Sequence, residues 1–160
     1  MSRLDSFISR MTAQRDILNH INEVLGMPAT GEVYEVGLGN GRTYSHLRQL
    51  FGDRRILAFD RHMGAHKTEA PTEDDIVLGE IKDTGPGYVG TGAALVHADI
   101  GTGYPEKDAV TLTWLPQLVA GMLASGSYAV SGLPLVHPEL NELARLPTVE
   151  EGRYFYYKKA

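Results

Sequence analysis

Apolar side chains recur near the start of the chain at Leu4, Phe7, Ile8, Met11, Leu18, Ile21, Val24 and Leu25. That spacing follows the helical period of about 3.6 residues and predicts an amphipathic helix over about 3–25, stopped by Gly26 and Pro28. A β-branched run, Glu32 to Val36, then reads as the first strand. It collapses into the turn Gly37-Leu38-Gly39-Asn40-Gly41, and a helix from about Thr43 to Phe51 follows, with Tyr44, Leu47, Leu50 and Phe51 inward. Arg55 to Asp60 is a second strand, apolar enough for a central place in a parallel sheet covered on both faces.

The polar stretch Arg61 to Asp74 reads as a loop or a short helix, and Asp75 to Ile81 as a third strand. Between Thr84 and Gly92 four glycines and a proline predict a loose or short connection where a crossover helix would otherwise stand. Ala94 to Asp99 gives a fourth strand, about Lys107 to Ala124 a helix in spite of Pro116, and Tyr128 to Leu133 a fifth strand. A short helical piece around Pro138 to Arg145 and a last strand, Arg153 to Lys158, finish the chain. Alternating strands and helices predict an α/β fold: a doubly wound, mostly parallel sheet of about six strands with helices on both faces. Ligands of such sheets bind outside the carboxyl ends of the strands.

Length and charge narrow the possibilities. The 160 residues suffice for one domain spanning 1–160, so any chemistry falls on one module. With Lys+Arg 15 against Asp+Glu 20 the formal net charge is −5, which argues against a nucleic acid as partner, because phosphate binding depends on displayed cations. The absence of cysteine removes disulfides, thiol nucleophiles and cysteine-based zinc sites. Charges in Met1 to Phe7 leave no signal-like apolar core, and a cytoplasmic location is expected. From Ala109 to Val136 there is no charged residue, but two prolines and several glycines favour a buried helix and strand over a membrane span.

The chemistry gathers at the strand ends. Glycines after the first strand let backbone N–H groups approach a ligand at a helix N-terminus. Asp60, Glu80 and Asp99 close the next three strands, at the same edge of the sheet. Three nucleotide classes suit such a turn. A mononucleotide P-loop requires a longer gap between glycines and a Lys where Arg42 stands; a dinucleotide fingerprint requires its third glycine at position 42. S-adenosylmethionine is the third class.

Glu35-Val36-Gly37-Leu38-Gly39-Asn40-Gly41 resembles the acidic-x-G-x-G-x-G motif of class I S-adenosylmethionine-dependent methyltransferases, with Asp60 at the position of their ribose-binding acid. The resemblance continues through Gly79-Glu80-Ile81 and His97-Ala98-Asp99-Ile100, and so spans roughly Glu32 to Leu133. It implies a Rossmann-like methyltransferase fold with a reduced C-terminal part, and S-adenosyl-L-methionine as methyl donor. It further implies donor-binding positions: Glu35, Gly37, Leu38, Gly39 and Asn40 along the turn, Thr43 and Tyr44 at the carboxylate end, and Asp60 at the ribose. Arg61 and His62 would flank the adenine face, Glu80 and Ile81 its edge, while Asp99 and Ile100 would lie near the sulfonium.

Methyl transfer from a sulfonium is an in-line displacement that needs orientation, and a base only when the acceptor must lose a proton. Asp99 and His97 are the candidates for that base; His97, two residues deeper, also reads as a hydrogen-bonded core histidine. Tyr154 to Tyr157 reads as strand rather than as a base-stacking platform. His62 and His66 have helical metal-pair spacing without further ligands, and no metal is expected. The expected partners are a small-molecule methyl acceptor and, through an exposed sheet edge or helix, a second copy in a homodimer. A donor-binding sensor without transfer activity is the alternative, and an NAD-type binding protein ranks behind it.

Overall fold

Ser2 starts the first helix by a reciprocal cap: its hydroxyl accepts from the Asp5 amide at 3.0 Å, while its own amide donates to the Asp5 carboxylate at 3.2 Å. In the computed structural model, which describes residues 1–160, this helix is α1, Arg3–His20. One wider π turn over Ile21–Leu25 follows, and Gly26 ends it at φ +82°. The helix lies within its predicted bounds, but its first turns carry apolar residues that do not enter the core: Leu4 is 67% exposed and Ile8 51%.

The elements continue as β1 Val33–Val36, α2 Arg42–Phe51, β2 Ile56–Asp60, β3 Ile76–Leu78, α3 Ile81–Thr84 and β4 Ala93–Ala98. They close with α4 Pro105–Thr111, α5 Leu115–Met122, β5 Leu123–Ser131, β6 Leu140–Glu142 and β7 Phe155–Lys159. The strands form one sheet in the order β3-β2-β1-β4-β5-β7-β6; β3 through β5 run parallel, β7 pairs antiparallel with β5, and β6 antiparallel with β7. The order reverses between β1 and β4, which opens a crevice at the carboxyl ends of those strands.

Alternation along the central strands sends side chains into two cores. Val33, Ile56, Ala58 and Leu95 meet Ile17 and Leu18 of α1 and Leu47 and Phe51 of α2 on one face. Tyr34, Val36, Leu57 and Phe59 meet Leu118, Val119 and Met122 of α5 on the other. Both faces are therefore covered, as the apolar runs of β1, β2 and β4 require.

Four expectations are corrected. The sheet has seven strands, not about six. The added strand is β6, where a helical piece was expected over 138–145: Leu140, Leu143 and Leu146 repeat at helical spacing, but pairing of Leu140 and Glu142 with Lys159 and Tyr157 overrides so short a pattern. The single helix expected over 107–124 is two, because Pro116 lacks an N–H and its ring crowds the carbonyl of the preceding turn; it sits instead in the first turn of α5. The third strand stops at Leu78, so Glu80 precedes α3 and Ile81 opens it. No helix is long and apolar enough to cross a membrane.

Candidate functional site

The site is built where β1, β2 and β4 end. Gly37 leaves β1 at φ +96°, and a Cβ on it would stand 2.6 Å from Ile100 Cγ2 and 2.8 Å from the Asp99 carbonyl oxygen. The chain leaving β4 is thus laid directly on the turn, and only glycine fits. Gly41, at φ +89°, precedes α2 and aims that helix at the same crevice.

Asp60 ties the turn to the end of β2. One carboxylate oxygen accepts from the Leu38 and Gly39 amides at 2.9 and 3.0 Å, and the other from the Arg61 amide at 2.7 Å. A carboxylate has about four acceptor positions, so these three amides use most of them. Asp60 shapes the cradle as well as facing it.

Asp99 is held from α1, the N-terminal helix, which the sequence places beside the acceptor pocket without naming the residues that do so. The Gln14 side-chain amide donates to it at 2.9 Å, and Arg10 pairs with it at 3.3 Å. The Gln14 oxygen in turn accepts from the Thr43 hydroxyl at 2.6 Å. Gln14 is buried, so this chain from α2 to Asp99 is shielded from competing water.

Beneath the turn lies a second polar group. Glu35 and His97, neighbours across β1 and β4, are both wholly buried and hydrogen-bonded through His97 Nδ1; His97 Nε2 bonds the Tyr154 hydroxyl at 2.6 Å. Burial pushes the Glu35 carboxyl up against the opposing pull of His97. Burial also works against charge on His97, but the Glu35 carboxylate outweighs it and the ring is raised above its ordinary 6.5. The pair accordingly holds one proton tightly. Burial, reinforced by the negative charges of Asp99 and Glu35, keeps the Tyr154 phenol protonated. The other Glu35 oxygen, Oε2, is buried without a partner.

Three cavities meet at Asp99. One of about 420 Å³ is lined by Gly37, Gly39, Asp60, Arg61, Glu80, Ile81, Asp99 and Ile100, joined by Lys82, Thr102, Thr111 and Trp114. A second, of about 200 Å³, is lined by Leu38, Asn40 and Thr43 with Gly37, Gly39 and Asp99, and by Phe7, Arg10, Met11 and Arg42. The third, about 590 Å³, lies between α1, the turn at 101–103 and the approach to β7, with Tyr154 in its wall. Each is in the ordinary range of small-molecule sites or just below it, roughly 300–1,000 Å³.

Most of the expected positions therefore share one cleft. Four do not stand on its walls: Glu35 lies below the turn, Tyr44 packs in the core against α1, His62 is exposed in the loop after β2, and His97 is enclosed with both ring nitrogens engaged. Phe7, Arg10, Gln14 and Tyr154 escaped the motif reading because they come from the two ends of the chain. The one local sign was a polar residue, Gln14, one turn before Ile17 and Leu18 on a face that otherwise enters the core.

Comparison with known proteins agrees with this geometry. A family model described as S-adenosyl-L-methionine methyltransferase matches residues 1–159. The crystal structure of an S-adenosyl-L-methionine methyl transferase from Silicibacter pomeroyi DSS-3 is 40% identical, with a TM-score of 0.90 over 100% of this chain and 99% of that one. A probable spermidine synthase from Corynebacterium glutamicum ATCC 13032 shares the fold at 11% identity and TM-score 0.61, over 97% of this chain and 63% of that one. A 16S rRNA (adenine(1408)-N(1))-methyltransferase from Catenulisporales acidiphilia, in a structure with its cosubstrate SAM, shares it at 11% and 0.51, over 100% and 92%. Among curated proteins none matches this chain.

Proposed function

This chain belongs to the S-adenosyl-L-methionine methyltransferase family, and we propose that it methylates a small-molecule acceptor bound in the third cavity. The chemistry of the walls supports this reading of the donor. The turn amides, Asp60 and Glu80 suit the hydroxyls and the amine of an adenosine, with Ile81, Ile100 and Trp114 supplying apolar surface for its base. Thr43, Arg10, Arg42 and the N-terminus of α2 suit an amino-acid carboxylate in the smaller compartment. Gly37 fits the same reading, since the chain lies too close there for any side chain.

When bound, S-adenosyl-L-methionine would supply a methyl group on a sulfonium, whose carbon an acceptor nucleophile bonds in line as the S–C bond breaks and S-adenosylhomocysteine leaves. Asp99 stands at the junction of all three cavities, and that junction is the observation carrying the proposal. Its carboxylate, fixed by Gln14 and Arg10, orients a nucleophile there and takes the proton of an acceptor that carries one. His97 cannot share this task, since it reaches no cavity wall. It holds Glu35 and Tyr154 in place instead. The third cavity is sized for a metabolite, and a net charge of −5 gives little purchase on a polyphosphate backbone.

Calorimetric titration with S-adenosylhomocysteine tests the donor half: a single site is expected, weakened by about 1–3 kcal/mol in Asp60→Ala. Heat with NAD and none with S-adenosylhomocysteine would refute it. Asp99→Asn tests the junction: methyl transfer to a fraction of small metabolites should fall by about 10²-fold or more at saturating donor, beyond any change in donor affinity.

A further inference from the structure

Resting on that reading of the third cavity, we propose that its acceptor carries an anionic group, a carboxylate or a phosphate, received by Arg3 and Arg153. Arg3, Ser6 and Arg10 lie on one face of α1, at the three- and four-residue steps that bring side chains into line. All three line the cavity, and Arg153 faces them from the approach to β7, with its Nη1 donating to Ser6 Oγ at 3.1 Å. Three guanidiniums around one concavity stand out in a chain whose formal charge is −5.

The carboxylates on the same wall do not cancel them. Asp99 is already paired with Arg10 and bonded by Gln14. Asp108 is turned back into its own loop, accepting from the Thr102 amide and hydroxyl, both at 2.8 Å. The one ion pair of Arg153 is long, 3.6 Å to half-exposed Glu150, its other contacts are to the neutral Ser6 Oγ at 3.1 Å and Met1 Sδ at 3.4 Å, and Arg3 enters none of the ion pairs of the fold. Two guanidiniums are left with donors to spare at the mouth of a cavity whose floor is the transfer junction. A planar fork of N–H groups is matched by the paired oxygens of a carboxylate or phosphate, and charged hydrogen bonds of this kind are about twice as strong as neutral ones. An acceptor gripped there would present its other end, the nucleophile, toward Asp99.

The test uses the full chain saturated with S-adenosylhomocysteine and two probes, succinate and inorganic phosphate, titrated separately while amide resonances are followed. The Gly132 and Gly152 amides border the cavity and serve as reporters. Saturable shifts at these glycines are expected with one or both anions, the tighter anion naming the group on the acceptor. In Arg3→Gln/Arg153→Gln the apparent Kd should rise about tenfold, consistent with loss of charged hydrogen bonds, while S-adenosylhomocysteine affinity stays within about twofold. Failure of both anions to saturate, or equal shifts in the double variant, would overturn the proposal and leave the donor reading intact. Failure of S-adenosylhomocysteine itself to bind would instead strike the reading on which it rests.

Discussion

Asp60 carries two duties that one substitution can separate from ordinary stability effects. It accepts the Leu38, Gly39 and Arg61 amides and lines the cleft in which the proposed donor site puts ribose hydroxyls. Asp60→Ala leaves those amides unpaired and should weaken S-adenosylhomocysteine binding by about 1–3 kcal/mol by calorimetry. Asp60→Asn should behave nearly as badly, since an amide presents a donor where two N–H groups need an acceptor; unchanged affinity in both would remove Asp60 from the site. Gly37→Ala is a packing test instead. Its Cβ has nowhere to go between Ile100 and the Asp99 carbonyl, and φ of +96° is strained for any side chain, so a loss of about 1–3 kcal/mol in denaturant unfolding is expected. The placement of these two residues was legible in the chain because a glycine turn and an acid at the next strand end are local signals. Arg10, Gln14 and Tyr154 were not, because their roles exist only once α1 and the approach to β7 have folded against the turn.

At the level of elements, the buried Glu35–His97–Tyr154 group fastens β1, β4 and the start of β7 beneath the cleft. It also makes the fold sensitive to pH in one direction. The folded pair keeps a proton that an unfolded histidine releases near 6.5, so its stabilisation is fully present below that pH. As pH rises through the raised value of the folded pair, that stabilisation is lost. Melting temperature should therefore fall on passing from neutral to alkaline buffer, and His97→Gln should flatten the decline while lowering stability at neutral pH. A melting temperature that climbs over this range would contradict the assignment. Strand and helix order were readable from apolar runs and glycine breaks because the parallel strands are buried on both faces. The break before Pro116 and the identity of β6 were harder: one depended on where a proline falls within a turn, the other on a partner strand distant in sequence. On α1 the apolar count itself misled, since Leu4 and Ile8 stay exposed while Gln14 is buried.

For the molecule as a whole, the sheet reversal gathers the cavities proposed for donor and acceptor on one edge, and α1 lines both from the same side. The solved structures of low identity share this sheet while differing in what they methylate or make, so the fold alone does not name the acceptor. Charge and cavity shape do more: a chain at −5 with arginines turned into one concavity favours a compact anion over an extended nucleic acid. The most direct measurement follows the methyl group itself. Wild-type protein and Asp60→Ala are incubated with methyl-labelled S-adenosyl-L-methionine and a cell extract, which is then divided into low-molecular-weight metabolites, RNA and protein. The account predicts label in the low-molecular-weight fraction, retained on an anion exchanger and dependent on Asp60. Label confined to RNA or protein, or equal label with and without the functional carboxylate, would contradict it.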